Sequence, residues 1–74
     1  MKIKFSRHAK RRTKLYNIPE STIIAIVENI NLIEGEQVII RNVGLKFPLK
    51  IVIYVEQLIA TVITAYPLKK GRKK

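Results

Sequence analysis

His8 is the one histidine of this 74-residue chain, and Arg12 follows it by four residues. On a helix that spacing sets both side chains on one face, one turn apart. Histidine titrates near neutral pH, so His8 is the natural general acid or base. Its plainer alternative is a structural residue near a helix start. Arg7, Arg11 and Lys14 stand beside it, and seven Lys and Arg fall between Lys2 and Lys14. Cations at this density contact phosphates whatever the base sequence, or else form a solvated face.

Tyr54 and Tyr66 fall on expected neighbouring strands. A tyrosine beside cations can stack on a base or donate a proton, and it can also simply line a sheet rim. Thr64 shares a face with Tyr66 by the strand period of two. Arg41 and Lys50 interrupt apolar strands, where a cation either protects an edge or points at an anion. There is no cysteine, and no glycine-rich phosphate loop, paired carboxylates or metal-ligand spacing around His8 can be found. No metal or cofactor is expected. The chemistry open to these residues is metal-free cleavage of RNA. The 2′-hydroxyl attacks phosphorus, side chains move protons, and cations stabilise the phosphorane.

The elements that position these residues follow from pattern. Met1 to Phe5 alternates lysine with apolar residues, as a half-exposed edge strand does. Ser6 is an N-cap for a helix from Arg7 to Tyr16, and Asn17 can take the left-handed conformation that ends it. Pro19 and Glu20 open a second helix, Glu20 to Asn29, with Ile23, Ile24, Ile26, Val27 and Ile30 as its apolar stripe. The period then changes to two. Strands are expected over Gln37 to Arg41, Leu45 to Val55 and Leu58 to Tyr66, with turns at Asn42, Val43 and Gly44 and at Glu56 and Gln57. Pro48 marks a bulge or a lapse in pairing. The order is strand, helix, helix, then a three-stranded antiparallel meander. This predicts an α+β fold, a single domain over residues 1–68 in which two helices pack on one face of an antiparallel sheet of three to four strands. A basic tail follows at 69–74.

Charge narrows the partners. Fifteen Lys and Arg against five Glu give +10, and five of the cations lie between Lys69 and Lys74. Nucleic acid, an anionic membrane surface or an acidic protein fit such a chain. No apolar run approaches the ~18 residues that span a bilayer, and no secretory signal is visible, so a cytoplasmic protein with no membrane partner is expected.

Ser6, His8, Ala9 and Arg12, then Asn17-Ile18 and a helix, resemble the opening of a family of small bacterial and archaeal domains. Pro48-Leu49 and Val62, Thr64, Tyr66 and Pro67 look like its later motifs. The resemblance spans nearly the whole chain. That family is grouped with the RelE/ParE-like and BrnT-like toxins of toxin–antitoxin pairs. The resemblance implies a RelE-like sheet and an endoribonuclease acting on messenger RNA. His8, Arg12 and Tyr66 would be catalytic. Arg7, Arg11, Lys14, Arg41, Lys50, Tyr54 and Thr64 would bind RNA. The implied partners are RNA, free or on the ribosome, and an acidic antitoxin protein. The chain departs from the pattern at Tyr16, where a second arginine is usual, and at Asn17, where glycine is usual. ParE-like relatives share the fold while inhibiting gyrase, so fold does not fix activity. The other class of function open to the chain is a non-catalytic binding module with the same basic surface.

Overall fold

A computed structural model describes residues 2–42 and 47–68. Its elements are β1 (Lys2–Phe5), α1 (Arg7–Leu15), α2 (Glu20–Glu28), β2 (Gly35–Arg41), β3 (Leu49–Glu56) and β4 (Ile59–Pro67). The fold is α+β, with a four-stranded sheet in the order β1-β4-β3-β2. The meander β2-β3-β4 is antiparallel, whereas β1 joins the edge of β4 in parallel. The expected turn residues Val43 and Gly44, the expected strand start at Leu45 and the tail 69–74 lie outside the described residues.

One face of the sheet is the core. Leu49, Ile51, Ile53 and Val55 of β3 are buried, and so are Ala60, Val62 and Ala65 of β4. Ala9 of α1 and Ile23 and Val27 of α2 pack against them. The α2 stripe is β-branched and a poor helix former alone, so its helicity comes from this packing. Alternation sends Lys50, Val52 and Tyr54 to the other face, which neither α1 nor α2 covers.

Two expectations are corrected. Pro48 does not interrupt a strand. It sits just before β3, where its missing N–H costs nothing, and its carbonyl accepts from the Leu68 N–H at 2.8 Å. The irregularity lies instead in β4. Val52 pairs with Thr64 and Ile53 with Val62, so Ile63 is the extra residue of a β-bulge. The bulge reverses the alternation. Val62 and Ala65 both reach the core, and Thr64 and Tyr66 turn to the open face opposite Val52 and Lys50.

The β3–β4 turn is Gln57-Leu58 rather than Glu56-Gln57. Both residues have positive φ, 52° and 64°, as a two-residue hairpin turn requires. Neither is glycine or asparagine, and each non-glycine residue in this region costs roughly 1–2 kcal/mol. Leu58 is 73% exposed, so little packing offsets the cost. Replacing the pair (Gln57→Asn with Leu58→Gly) is expected to stabilise the fold by about 1 kcal/mol, less than the full strain because glycine also loosens the unfolded chain. Thermal unfolding reads this as a rise of roughly 4–8 °C. An unchanged or lower midpoint would mean that Leu58 makes contacts that offset its backbone strain.

Candidate nucleic-acid interface

The first helical turn of α1 is set by Ser6. Its hydroxyl accepts from the Ala9 N–H at 3.0 Å, the N-cap bond expected from the sequence. The same hydroxyl donates to the Ile63 carbonyl at 2.8 Å, and the Ser6 N–H donates to the Val62 carbonyl at 2.9 Å. The helix start is thereby fixed to the bulge of β4. The far end closes with Asn17 at φ 57°, the left-handed position foreseen for it. Bonds from Tyr16, Asn17 and Ile18 N–H to the carbonyls of Arg12, Lys14 and Thr13 satisfy the last turn.

Between these ends, Ala9 and Thr13 are buried, and Arg12 and Tyr16 are half-buried. At 100° per residue, Arg7, Lys10, Arg11 and Lys14 occupy the opposite side of the helix. They line a groove of about 560 Å³ together with Glu20 from the first turn of α2. The run spans roughly 10 Å of helix axis, enough to meet more than one phosphate. None of these cations is ion-paired among the described residues. Arg7, Arg11 and Lys14 are therefore brought together as expected. Lys10 and Glu20 belong with them and were not foreseen. Lys10 was legible as the i+3 neighbour of Arg7, but Glu20 reaches the groove only through the helix–turn–helix geometry.

His8 is exposed and Arg12 half-buried on the flank of α1, between the cationic side and the core side. They share that flank, as their spacing demands. Tyr66 lies elsewhere, on the open sheet face, and no hydrogen bond or ring contact joins it to His8 or Arg12. The expected trio is thus divided between two surfaces.

The open face carries the second group. Lys50 and Tyr66 are cross-strand partners, and the Lys50 ammonium lies 5.7 Å from the centre of the Tyr66 ring, within cation–π range. Thr64 stands in the next row opposite Val52, with its hydroxyl buried and without a hydrogen-bond partner. One row further, Tyr54 is paired with Thr61, which is paired with Lys4. Lys4, Tyr54 and Thr61 line a shallow hollow of about 290 Å³ together with the carboxylate of Glu56. Tyr54 is 44% exposed, and Val38 and Ile40 of β2 extend the apolar surface beside it.

Arg41 does not join either group. It pairs with Leu49 and therefore shares the helix-side face, where it lines a hollow with Ala25, Ile26 and Asn29 of α2 and its cap. The register that turns Lys50 outward turns Arg41 the other way. Among the described residues no three His, Asp or Glu side chains are grouped as metal ligands, and no helix is long and apolar enough to cross a membrane.

A buried hydroxyl without a partner costs about 1–3 kcal/mol. Thr64→Val is therefore expected to raise stability by about 1 kcal/mol in denaturant unfolding. A fall in stability would show that the hydroxyl is satisfied in solution.

Comparison of the chain with known protein families, with curated proteins and with solved structures finds no match.

Proposed function

We propose that this protein binds RNA through the outer side of α1. The observation that carries the reading is the run Arg7, Lys10, Arg11 and Lys14 along one groove, with no ion pair to neutralise it among the described residues. Like charges held on a rigid helix repel each other, and a polyanion relieves that repulsion. The open face supports RNA as the polyanion. Tyr54 and Tyr66 present aromatic surface next to Lys4 and Lys50, a setting that suits unpaired bases. An acidic protein, the antitoxin of the toxin-like reading, would compete for the same cations.

A second reading adds catalysis. It is favoured by the Lys50–Tyr66 pair on the face of the sheet that neither α1 nor α2 covers. In that reading the protein is a metal-free endoribonuclease, in line with the motifs around His8 and Tyr66. On α1, Arg12 would hold the scissile phosphate and His8 would take the 2′-hydroxyl proton, with water protonating the leaving oxygen, while Lys50 and Tyr66 on the open face would hold a flanking phosphate and base.

Two experiments test these readings. Binding of labelled single-stranded RNA should weaken with salt at a log–log slope of about −3 if all four groove cations meet phosphates. The Arg7→Ala, Arg11→Ala double variant should bring that slope to about half, and an unchanged slope would remove α1 from the interface. In the cleavage assay, with EDTA present, His8→Ala should bind RNA like the parent yet cut it on the order of 100-fold more slowly. A parent that binds but does not cut, with or without translating ribosomes, leaves the binding module and removes the enzyme.

A further inference from the structure

Glu20 is the one carboxylate lining the α1 groove. Its place in the first turn of α2 suits the helix dipole, but towards a phosphate strand it is repulsive. It is not a neutralising partner either, since none of the four cations is ion-paired among the described residues. Its position is fixed by the backbone. The Ile18 N–H donates to the Thr13 carbonyl at 2.8 Å, Asn17 is held in the left-handed conformation, and Ile18 is buried in the core. Two residues later the chain enters α2 at Glu20, exposed and beside Lys10 and Lys14. The turn therefore presents a carboxylate at a set place among cations.

A carboxylate accepts hydrogen bonds and donates none. The cations serve the phosphates of a nucleic-acid strand, so Glu20 meets whatever donors that strand offers. Those donors are the ribose 2′-hydroxyls, which every nucleotide carries alike, and the base edges, which alone differ from one nucleotide to the next. Unpaired RNA is read on its Watson–Crick edges. Guanine presents two adjacent donors there, N1–H and the N2 amino group, which match the two oxygens of one carboxylate. Cytosine and adenine present one amino group, and uracil a single N–H. We infer that Glu20 is a specificity-determining residue that favours an unpaired guanine in the strand bound along α1. This rests on the RNA-binding reading and adds base preference to it. The cations supply affinity without sequence, and Glu20 lowers that affinity for strands that lack a matching base.

The test uses the full chain and two labelled oligonucleotides of equal length, one all uridine and one with guanines at its centre. Fluorescence anisotropy is recorded at low and moderate salt for the parent and for Glu20→Gln. The parent should bind the guanine oligonucleotide roughly tenfold more tightly, the scale of one good bidentate base contact. In Glu20→Gln that ratio should collapse towards one, while affinity for the uridine oligonucleotide holds or rises as the repulsion is lost. Circular dichroism confirms that the variant folds. Equal binding of both oligonucleotides by the parent, or a ratio that survives Glu20→Gln, overturns the inference and leaves salt-dependent binding in place. Absence of salt-dependent binding to either oligonucleotide overturns the RNA-binding reading as well, so the two failures are distinct.

Discussion

The joint between Ser6 and the β4 bulge is the constraint on which the rest of the arrangement depends. One serine closes the first turn of α1, accepts no strand partner of its own, and holds the Val62 and Ile63 carbonyls. The bulge at Ile63 frees that carbonyl from the ladder. Each feature needs the other. Without the bulge, Ile63 would have no carbonyl turned to the helix, and Thr64 and Tyr66 would stay in phase with Val62 and point into the core. Without the Ser6 hydroxyl, the Ile63 carbonyl, which stands at an exposed position, would exchange its protein donor for water and the first turn of α1 would lose its cap. A local capping bond thus decides which face of the sheet carries the tyrosine and, at the same time, where the cationic helix begins.

Charge is divided as sharply as the faces are. Seven cations lie between Lys2 and Lys14, while Glu20, Glu28, Glu34 and Glu36 fall on α2, the following loop and β2. The acids therefore fall in the middle of the chain, between the cationic run that includes α1 and a second cationic run at 69–74. The field of such a run orients an approaching polyanion before contact, which raises the rate of encounter. The same placement explains why α1 can stay unneutralised. Its nine residues contain no acid, and its first turn has none to favour the helix dipole. The helix is held by Ser6, Ala9 and the Asn17 turn, and its outer side carries cations with no ion pair among the described residues.

Much of this was legible in the residues. Ser6 before a run of helix formers, Asn17 at its end, lysines alternating along β1, and the Ile51, Ile53, Val55 phase of β3 each state one local preference that the fold honours. What was not legible depends on partners distant in sequence. Ile63 is neither glycine nor proline, so nothing local marks a bulge, and the cause lies 57 residues away at Ser6. Gln57 and Leu58 are poor turn residues, and the register of β3 on β4 forces them into one. Pro48 read as a break inside a strand because the boundary of β3 is set by its neighbours. Arg41 and Lys50 look alike in sequence, and only the β2–β3 register separates them. Among the site residues, α1 was readable as a cationic helix from its spacing, whereas the separation of His8 and Tyr66 was not.

That separation has a geometric limit. β1 ends at Phe5, opposite Val62, so the rest of β4 has no strand neighbour on that side. The start of α1 takes the place of a strand there, held by Ser6. His8 lies two residues beyond this joint along the helix, and Tyr66 three residues beyond Ile63 along the strand. The edge of β4 past the end of β1 is therefore where the helix side and the open side of the sheet come nearest in the chain's own connectivity. A single RNA strand that touches both the α1 cations and the Lys50–Tyr66 pair has to cross at this edge. Duplex RNA is too wide and stiff to fold around it, whereas a single strand can bend there and splay its bases. On the proposed RNA-binding reading, the joint that divides the two surfaces would thus admit a single strand to both and keep a duplex to one.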